Sequence, residues 1–388
     1  MKILHIITRL DMGGSALALM LIAALQKRRG YDVAVAHGPT GNHQDAAFLG
    51  GAGVTVHYIP SLVRDIEPLK DIHALFSVWS LIRMTRPDVV HTHTSKAGFV
   101  GRLGARLAGC RAVVHSPHGH VFSGYFSPYK SSMFVLLERI AAHFCDRILP
   151  LTSAEADEYA ARGVAPMEKM QPVPMGVSLE GFKRPSVSRR EARLALGIPE
   201  DAAVAGWVGR LDPVKDCGTF IASYRAVSEG CAASAGVWYV VVGDGPEGAA
   251  IRTRADAAGG GRIVLTGRRD DVGCLLQAMD VFALTSLNEG LGMVLVEAMA
   301  AGVPVVATEV GGVPEVLGDA GFMVPPGDPQ ALARKLARLL ADEGLRKEFA
   351  DRGRARAERY SIESTERVLA GLYEEVLAGA GLARGAAT

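Results

Sequence analysis

The sequence predicts an α/β protein built from two doubly wound, Rossmann-like parallel-sheet domains in tandem. Three observations carry this reading. Short β-branched runs alternate with stretches of helical length along the chain. The cycle runs through the first 178 residues, meets a polar stretch, and begins again. Glycine-bearing turns follow directly on the apolar runs, where open α/β sheets gather their ligand-binding residues.

The first cycle has apolar runs at residues 2–8, 32–36, 54–59, 88–93, 112–116 and 146–149, with helical stretches such as 15–29 and 69–86 between them. Strands alternating with helices of this length mean parallel strands joined by crossovers. The polar segment 176–188 marks the boundary, so we expect a first domain at 1–178 and a second at 179–360. The second cycle places strands at 203–208, 237–242, 262–266, 281–285 and 303–307. Residues 361–378 read as a helix packing back on the first domain, within a final segment 361–388 whose last ten residues are small. Two such domains are expected to face each other across a cleft.

Composition narrows the class. The chain has 388 residues, 49% hydrophobic and 21% charged, which is a folded domain pair and not a disordered chain. Net charge is +1, which gives no global signal for nucleic acid or membrane, and no nucleic-acid partner is expected. Residues 1–178 hold 18 Lys and Arg against 13 Asp and Glu; the remainder hold 24 against 28. The mild basic excess at the front suits an anionic partner such as a membrane surface. Five cysteines, odd in number and scattered, read as reduced thiols. With no signal peptide or long apolar run, the expected location is the cytoplasm, or the cytoplasmic face of a membrane as a peripheral protein.

The densest chemical signal is LTSLNEGLGMVLVEAMAAGVPVVAT at residues 284–308. A strand ends there, and the turn Glu289, Gly290, Leu291, Gly292 opens a helix. A helix start offers unpaired N–H groups and the positive end of a dipole, so it suits a diphosphate. Glu289 and Glu297 are eight residues apart, roughly 12 Å along a helix. That exceeds the about 6.5–9.5 Å of two carboxylates acting on one glycosidic bond. They are better placed to hold the two ends of one long ligand. A second turn, Gly209-Arg210-Leu211-Asp212-Pro213-Val214-Lys215, also follows a strand. Its Arg and Lys are suited to clamp phosphates and to stabilise charge on a leaving group. A third, Gly243-Asp244-Gly245-Pro246-Glu247-Gly248, matches the dinucleotide fingerprint GxGxxG, but follows the second strand of its domain and not the first. A nicotinamide oxidoreductase is therefore the weaker reading.

In this order these residues resemble a retaining glycosyltransferase of family 4, on the two-domain scaffold called GT-B. Glu289 and Glu297, Arg210 and Lys215, the Gly-Asp-Gly at 243–245, GGVPE at 311–315 and the pair Gly13-Gly14 carry the resemblance, which is greatest to bacterial enzymes of surface-polysaccharide assembly. It implies a hexose moved from a UDP- or GDP-sugar to a glycan or lipid-linked acceptor. Glu289 would contact the sugar hydroxyls and Glu297 the ribose. Arg210 and Lys215 would hold the diphosphate with the amides of Gly290, Leu291, Gly292 and Met293. Gly243 and Asp244 would line the donor site, and Gly14 would let its loop approach the phosphates closely. No DxD motif suited to a donor-bound divalent ion stands out, so no metal requirement and no cofactor are expected. A nucleotide-sugar epimerase on the same scaffold is the alternative.

Five of the eleven histidines fall within residues 91–120: His91, His93, His115, His118 and His120. Structural histidines, a metal site and a cleft-lining histidine compete here. The resemblance points to His118, with His120 second, as the one beside the reacting sugar. Asp11, Lys96 and Tyr125 are further acceptor-side candidates, and the aromatic loop 121–128 could meet either an acceptor or a membrane.

Overall fold

The computed structural model describes residues 1–10, 14–40, 44–119, 128–230, 235–259 and 261–385. Asp11, Gly13, His120, Tyr125 and loop residues 121–127 lie outside them.

The chain divides into two compact units, Met1–Gly176 with Ile362–Thr388, and Val177–Ser361. The first unit thus ends two residues earlier than the polar stretch suggested. It holds strands β1 (Lys2–Ile7), β2 (Asp32–His37), β3 (Thr55–Tyr58), β4 (Val89–His93), β5 (Ala112–Ser116) and β6 (Arg147–Ile148). The second holds β7 (Ala203–Val208), β8 (Val237–Val242), β9 (Ile263–Leu265), β10 (Val281–Leu284), β11 (Val305–Thr308) and β12 (Gly321–Val324).

Each unit contains one six-stranded sheet, ordered β3-β2-β1-β4-β5-β6 in the first and β12-β11-β10-β7-β8-β9 in the second. Every pairing between them is parallel. Renumbered within its unit, the second order is the first read backwards. Both sheets are doubly wound, and the winding reverses between β1 and β4 and between β7 and β10. Crevices at the carboxyl ends of such strand pairs are where open α/β sheets bind ligands.

The strands read as continuous apolar runs because helices cover both sheet faces. β4, β5 and β7 are buried at every position. β12 is absent from the sequence-based reading. It is four residues long, lies at the sheet edge and is only partly covered, so neither alternation nor a long apolar run announces it.

The last helix, Ile362–Gly385, belongs to the first unit. It buries Leu369, Leu372, Tyr373 and Val376 against Ile3, Val89, Val114 and Leu149. The 3–4 spacing of these residues is one helical face. At about 1.5–3 kcal/mol for each large apolar side chain buried, this contact is a substantial share of a domain's net stability. Among the described residues no helix is long and apolar enough to cross a membrane.

Candidate active site

In the second unit the chemistry gathers at the β7/β10 reversal. β10 ends at Leu284, and Thr285 and Ser286 follow, both buried. Thr285 Oγ1 receives the Trp207 indole N–H at 3.1 Å and donates to the Asp216 carbonyl oxygen at 2.8 Å. Leu287 N donates to the Val214 carbonyl oxygen at 2.8 Å. The turn after β10 is thereby bolted to the turn after β7.

This brings Lys215 to Glu289. Lys215 Nζ lies 2.5 Å from Glu289 Oε2, and Ser286 Oγ donates to the same oxygen at 3.0 Å. The Lys215 and Glu289 side chains keep 30% and 12% of their exposure, so the pair is sheltered but reachable. A charge-assisted contact of this length fixes the carboxylate firmly.

Gly311 secures the turn from the other side. Gly312 N donates to the Glu289 carbonyl oxygen at 3.0 Å, and Gly311 sits at φ +51. A Cβ on Gly311 would lie 2.0 Å from that oxygen, so only glycine fits. Gly292 then caps helix Met293–Ala300, and Glu297 lies on this helix about one turn on. Burial raises the Glu297 carboxyl to about 7. It therefore titrates near neutrality and is able to donate as well as accept a hydrogen bond.

Arg210 stands apart. Its guanidinium is 70% exposed and pairs with Asp212 of its own turn at 3.1 Å, not with the Lys215–Glu289 pair. The Gly243 segment has a structural cause. Gly243 N donates to Gly267, Leu211 N donates to Asp244, and Glu247 N donates to Leu211, each to the carbonyl oxygen at 2.9–3.0 Å. A Cβ on Gly243, at φ +141, would meet the Gly209 carbonyl oxygen at 1.8 Å. The close approach of two strand-end turns thus accounts for glycine here without a dinucleotide. Asp244 is exposed, and its Oδ1 accepts from Gly245 N at 2.7 Å.

The first unit places its histidines at the corresponding reversal. His5 on β1, His91 and His93 on β4, and His115 on β5 are all buried. Burial lowers His5 to about 4 and holds His91, His93 and His115 well below 6.5. His118 follows β5 and is lowered to about 4 by the same cause. Its Nε2 lies 2.7 Å from His93 Nδ1, with the two rings stacked 5.0 Å apart. Gly14 begins helix Gly14–Arg28. Lys96 is tied down, its Nζ donating to the Asp65 carbonyl oxygen at 2.8 Å and pairing with the Asp71 carboxylate. There it anchors the start of helix Pro68–Thr85.

Sequence reasoning missed Ser286, His5 and Gln26. Ser286 gave a signal, since it directly follows a strand. Gln26 gave one too: a lone amide in the apolar run LIAAL that precedes it. His5 was hidden by lying 86 residues from the histidine cluster that its strand joins.

A lysine–glutamate pair at a strand-end reversal, beside glycine turns and a helix start, has the chemistry that suits an anionic, hydroxyl-bearing ligand. Comparison with known proteins makes the class specific. Residues 13–176 match the family model of the glycosyl transferase 4-like domain, and residues 202–342 that of glycosyl transferases group 1. The chain is 30% identical over 297 residues to the UDP-Gal:alpha-D-GlcNAc-diphosphoundecaprenol alpha-1,3-galactosyltransferase of Escherichia coli, covering 75% of this chain and 76% of that one. It is 30% identical to a D-inositol 3-phosphate glycosyltransferase of Saccharomonospora viridis, covering 95% of this chain and 90% of that one. The crystal structure of Anabaena HepE in complex with UDP superposes with a TM-score of 0.82 at 24% identity, over 97% of this chain and all of that one. The fold is GT-B, and the chain belongs to the family 4 glycosyltransferases.

Proposed function

We propose that this glycosyltransferase moves a hexose from a UDP- or GDP-sugar, with retention of anomeric configuration, to a glycan or lipid-linked acceptor of the cell surface. The observation that carries the donor assignment is the Lys215–Glu289 pair held at the β7/β10 reversal. In this reading an incoming diphosphate takes Lys215, and Glu289, released from that pair, accepts hydrogen bonds from sugar hydroxyls. Glu297 binds the ribose. Arg210, exposed on the adjoining turn, swings to the phosphates, and the amides at 290–293 add a fixed positive end.

Retention follows if the acceptor hydroxyl attacks the face from which the diphosphate leaves. The departing phosphate then takes the acceptor proton. This route calls for stabilisation of a leaving dianion and not for a separate base. We expect no metal requirement, because the cations and amides supply that charge. Activity unchanged by a chelator would agree; activity lost on chelation and restored by magnesium would not.

Support for UDP and for a lipid-linked acceptor comes from the relatives: HepE was solved with UDP, and the Escherichia coli enzyme acts on a diphosphoundecaprenol substrate. Peripheral attachment to the cytoplasmic face of a membrane suits helix Pro68–Thr85. It leaves Leu69, Ile72, Phe76 and Met84 exposed by 78%, 54%, 64% and 73%. Such an outward apolar set supports this reading.

The test is calorimetric titration with UDP, GDP and ADP. One diphosphate should bind, and Lys215→Ala should weaken it about 10–100-fold, the worth of one hydrogen bond to a charged group. Unchanged affinity in Lys215→Ala would remove the donor assignment. Mass spectrometry of products from a panel of nucleotide sugars then names the sugar.

A further inference from the structure

Four side chains of the first unit form an unbroken series of hydrogen bonds. Gln26, fully buried on helix Gly14–Arg28, holds its Oε1 2.8 Å from His5 Nε2. His5 Nδ1 lies 3.0 Å from His93 Nε2. His93 Nδ1 lies 2.7 Å from His118 Nε2. The series ends at His118 Nδ1, which is buried and has no hydrogen-bond partner among the described residues.

A neutral imidazole carries one N–H and one lone pair, while an amide oxygen only accepts. Gln26 Oε1 therefore requires the His5 proton on Nε2, which leaves His5 Nδ1 an acceptor. His93 must then donate from Nε2 and accept at Nδ1. By the same rule His118 donates from Nε2, and its Nδ1 is a bare lone pair. The order holds only while the rings are uncharged, since a cationic ring has two donors and no acceptor. Burial keeps them neutral, with His5 and His118 at about 4 and His93 well below 6.5.

A metal held by His5, His91 and His93, whose ligand atoms lie within 4.8 Å of one another, accounts for less. His5 and His93 already bond each other. His91 spends Nδ1 on the Tyr373 hydroxyl at 2.6 Å and Nε2 on Ser116 Oγ at 2.8 Å. Every nitrogen of these three rings is satisfied without an ion. The backbone at His118 adds a further sign of function. Its φ of +58 is left-handed, which costs a residue with a Cβ roughly 1–2 kcal/mol. Such strain persists where surroundings over-determine it, typically at ligand sites.

Resting on the sugar-transfer reading above, we propose that Gln26, His5 and His93 are positioning residues that hold His118 as the Nε2–H tautomer, so that its Nδ1 meets a sugar hydroxyl as a hydrogen-bond acceptor. A ring so ordered rewards a ligand that donates and leaves unpaired one that only accepts. His118 then recognises a hydroxyl and does not act as an acid.

The test reads the tautomers directly. Two-bond 15N–1H correlation on histidine-labelled, ligand-free protein at pH 7 should show Nε2–H for His5, His93 and His118, with His118 Nδ1 unprotonated. Gln26→Met, near in shape but without the acceptor, should leave His118 a mixture of tautomers. Gln26→Glu, which restores an accepting oxygen, should recover the single form. Nδ1–H at His118 in the wild type, or an unmoved His118 tautomer in Gln26→Met, overturns the proposal. Turnover adds the functional arm, using the donor that the screen selects. Gln26→Met should lose about tenfold in kcat/KM, as a rise in donor KM if the hydroxyl is the donor's, or in acceptor KM if it is the acceptor's. Undiminished kcat/KM overturns it. Nucleoside diphosphate affinity should not change in Gln26→Met. A failed tautomer order with Lys215-dependent diphosphate binding intact therefore sinks this inference alone.

Discussion

The two sheets share one strand order yet furnish the reversal point in opposite ways. In the second unit it carries formal charge: Lys215 against Glu289, and on the same turn as Lys215 a separate pair of Arg210 with Asp212. In the first it carries none; the imidazoles are neutral and bonded in series, with His93 and His118 stacked. Burial explains the difference. Lys215 keeps 30% and Arg210 70% of side-chain exposure, so water still supports their charge. His5 and His91 keep about none. A bare charge at that depth would cost several kcal/mol, whereas a neutral ring with both nitrogens bonded costs little. One scaffold thus offers charge where it is shallow and directed lone pairs where it is deep.

The comparison breaks most readily at the charged site. Glu289→Gln keeps the size of the side chain but removes the charge that Lys215 and Ser286 hold. Turnover should fall about 10²–10³-fold, the usual effect of deleting one preorganised polar contact. The melting temperature should move little, because the pair is partly solvated. A Glu289→Gln enzyme with wild-type turnover would show that the charge is incidental.

Gly311→Ala tests the backbone beneath that site. The new methyl would overlap the Glu289 carbonyl oxygen, in a left-handed conformation that alanine resists. We expect a loss of about 2–4 kcal/mol, measured by urea unfolding, and lost activity. The same substitution at Gly371, where a Cβ meets nothing within 4 Å, should be harmless and serves as the control.

Acid should break the first unit before the second. His5 titrates at about 4 when folded, against 6.5 when unfolded. Between those values the unfolded chain binds a proton that the folded chain refuses. Stability is therefore complete above about pH 6.5 and falls as pH drops toward 4. The slope is about 1.4 kcal/mol per pH unit for each such group, or roughly 3 kcal/mol for His5 alone. His91, His93, His115 and His118 act in the same direction. Glu155 in this unit opposes them: burial raises it to about 7, so it favours the folded state at low pH. Glu297 does the same for the second unit. Hydrogen exchange read by mass spectrometry at pH 5 and pH 7.5, corrected for intrinsic rates, should show β1, β4 and β5 losing protection while β7 and β10 keep theirs. Equal loss in both sheets would contradict the assignment.

The second unit was the more legible in sequence because its chemistry is local. Glu289, Gly292 and Glu297 lie on one strand–turn–helix segment, and Lys215 sits on an adjoining turn with its own recognisable spacing. The first unit's series is assembled from residues 5, 26, 93 and 118, which only strand order and helix packing bring together. Nothing in spacing marks His5 as a neighbour of His93; that follows from β1 lying beside β4. Arg210 shows the converse limit. Its spacing from Lys215 was plain, but the side chain turns to Asp212, and spacing carries no orientation. Edge strand β12 escaped because it is brief and only partly buried, with no alternation along it.

The smallest effect on stability, and a sharp one on partition, is expected on the outer face of helix Pro68–Thr85. Its inner face buries Ala74, Val78, Leu81 and Ile82 in the same core cluster as Leu4, Ile6 and Val90 of the sheet. Leu69 and Phe76 are largely exposed, so replacing both with serine removes little folding energy, under about 0.5 kcal/mol each. On a membrane the same two side chains would bury most of their area, at roughly 25 cal/mol per Å². Leu69→Ser with Phe76→Ser should therefore leave urea unfolding unchanged while sedimentation with vesicles of phosphatidylglycerol and phosphatidylethanolamine falls about tenfold or more. Exposed apolar groups that merely decorate the surface would give the same sedimentation in the variant as in the wild type. That outcome would leave the helix a structural element of the first unit and nothing more.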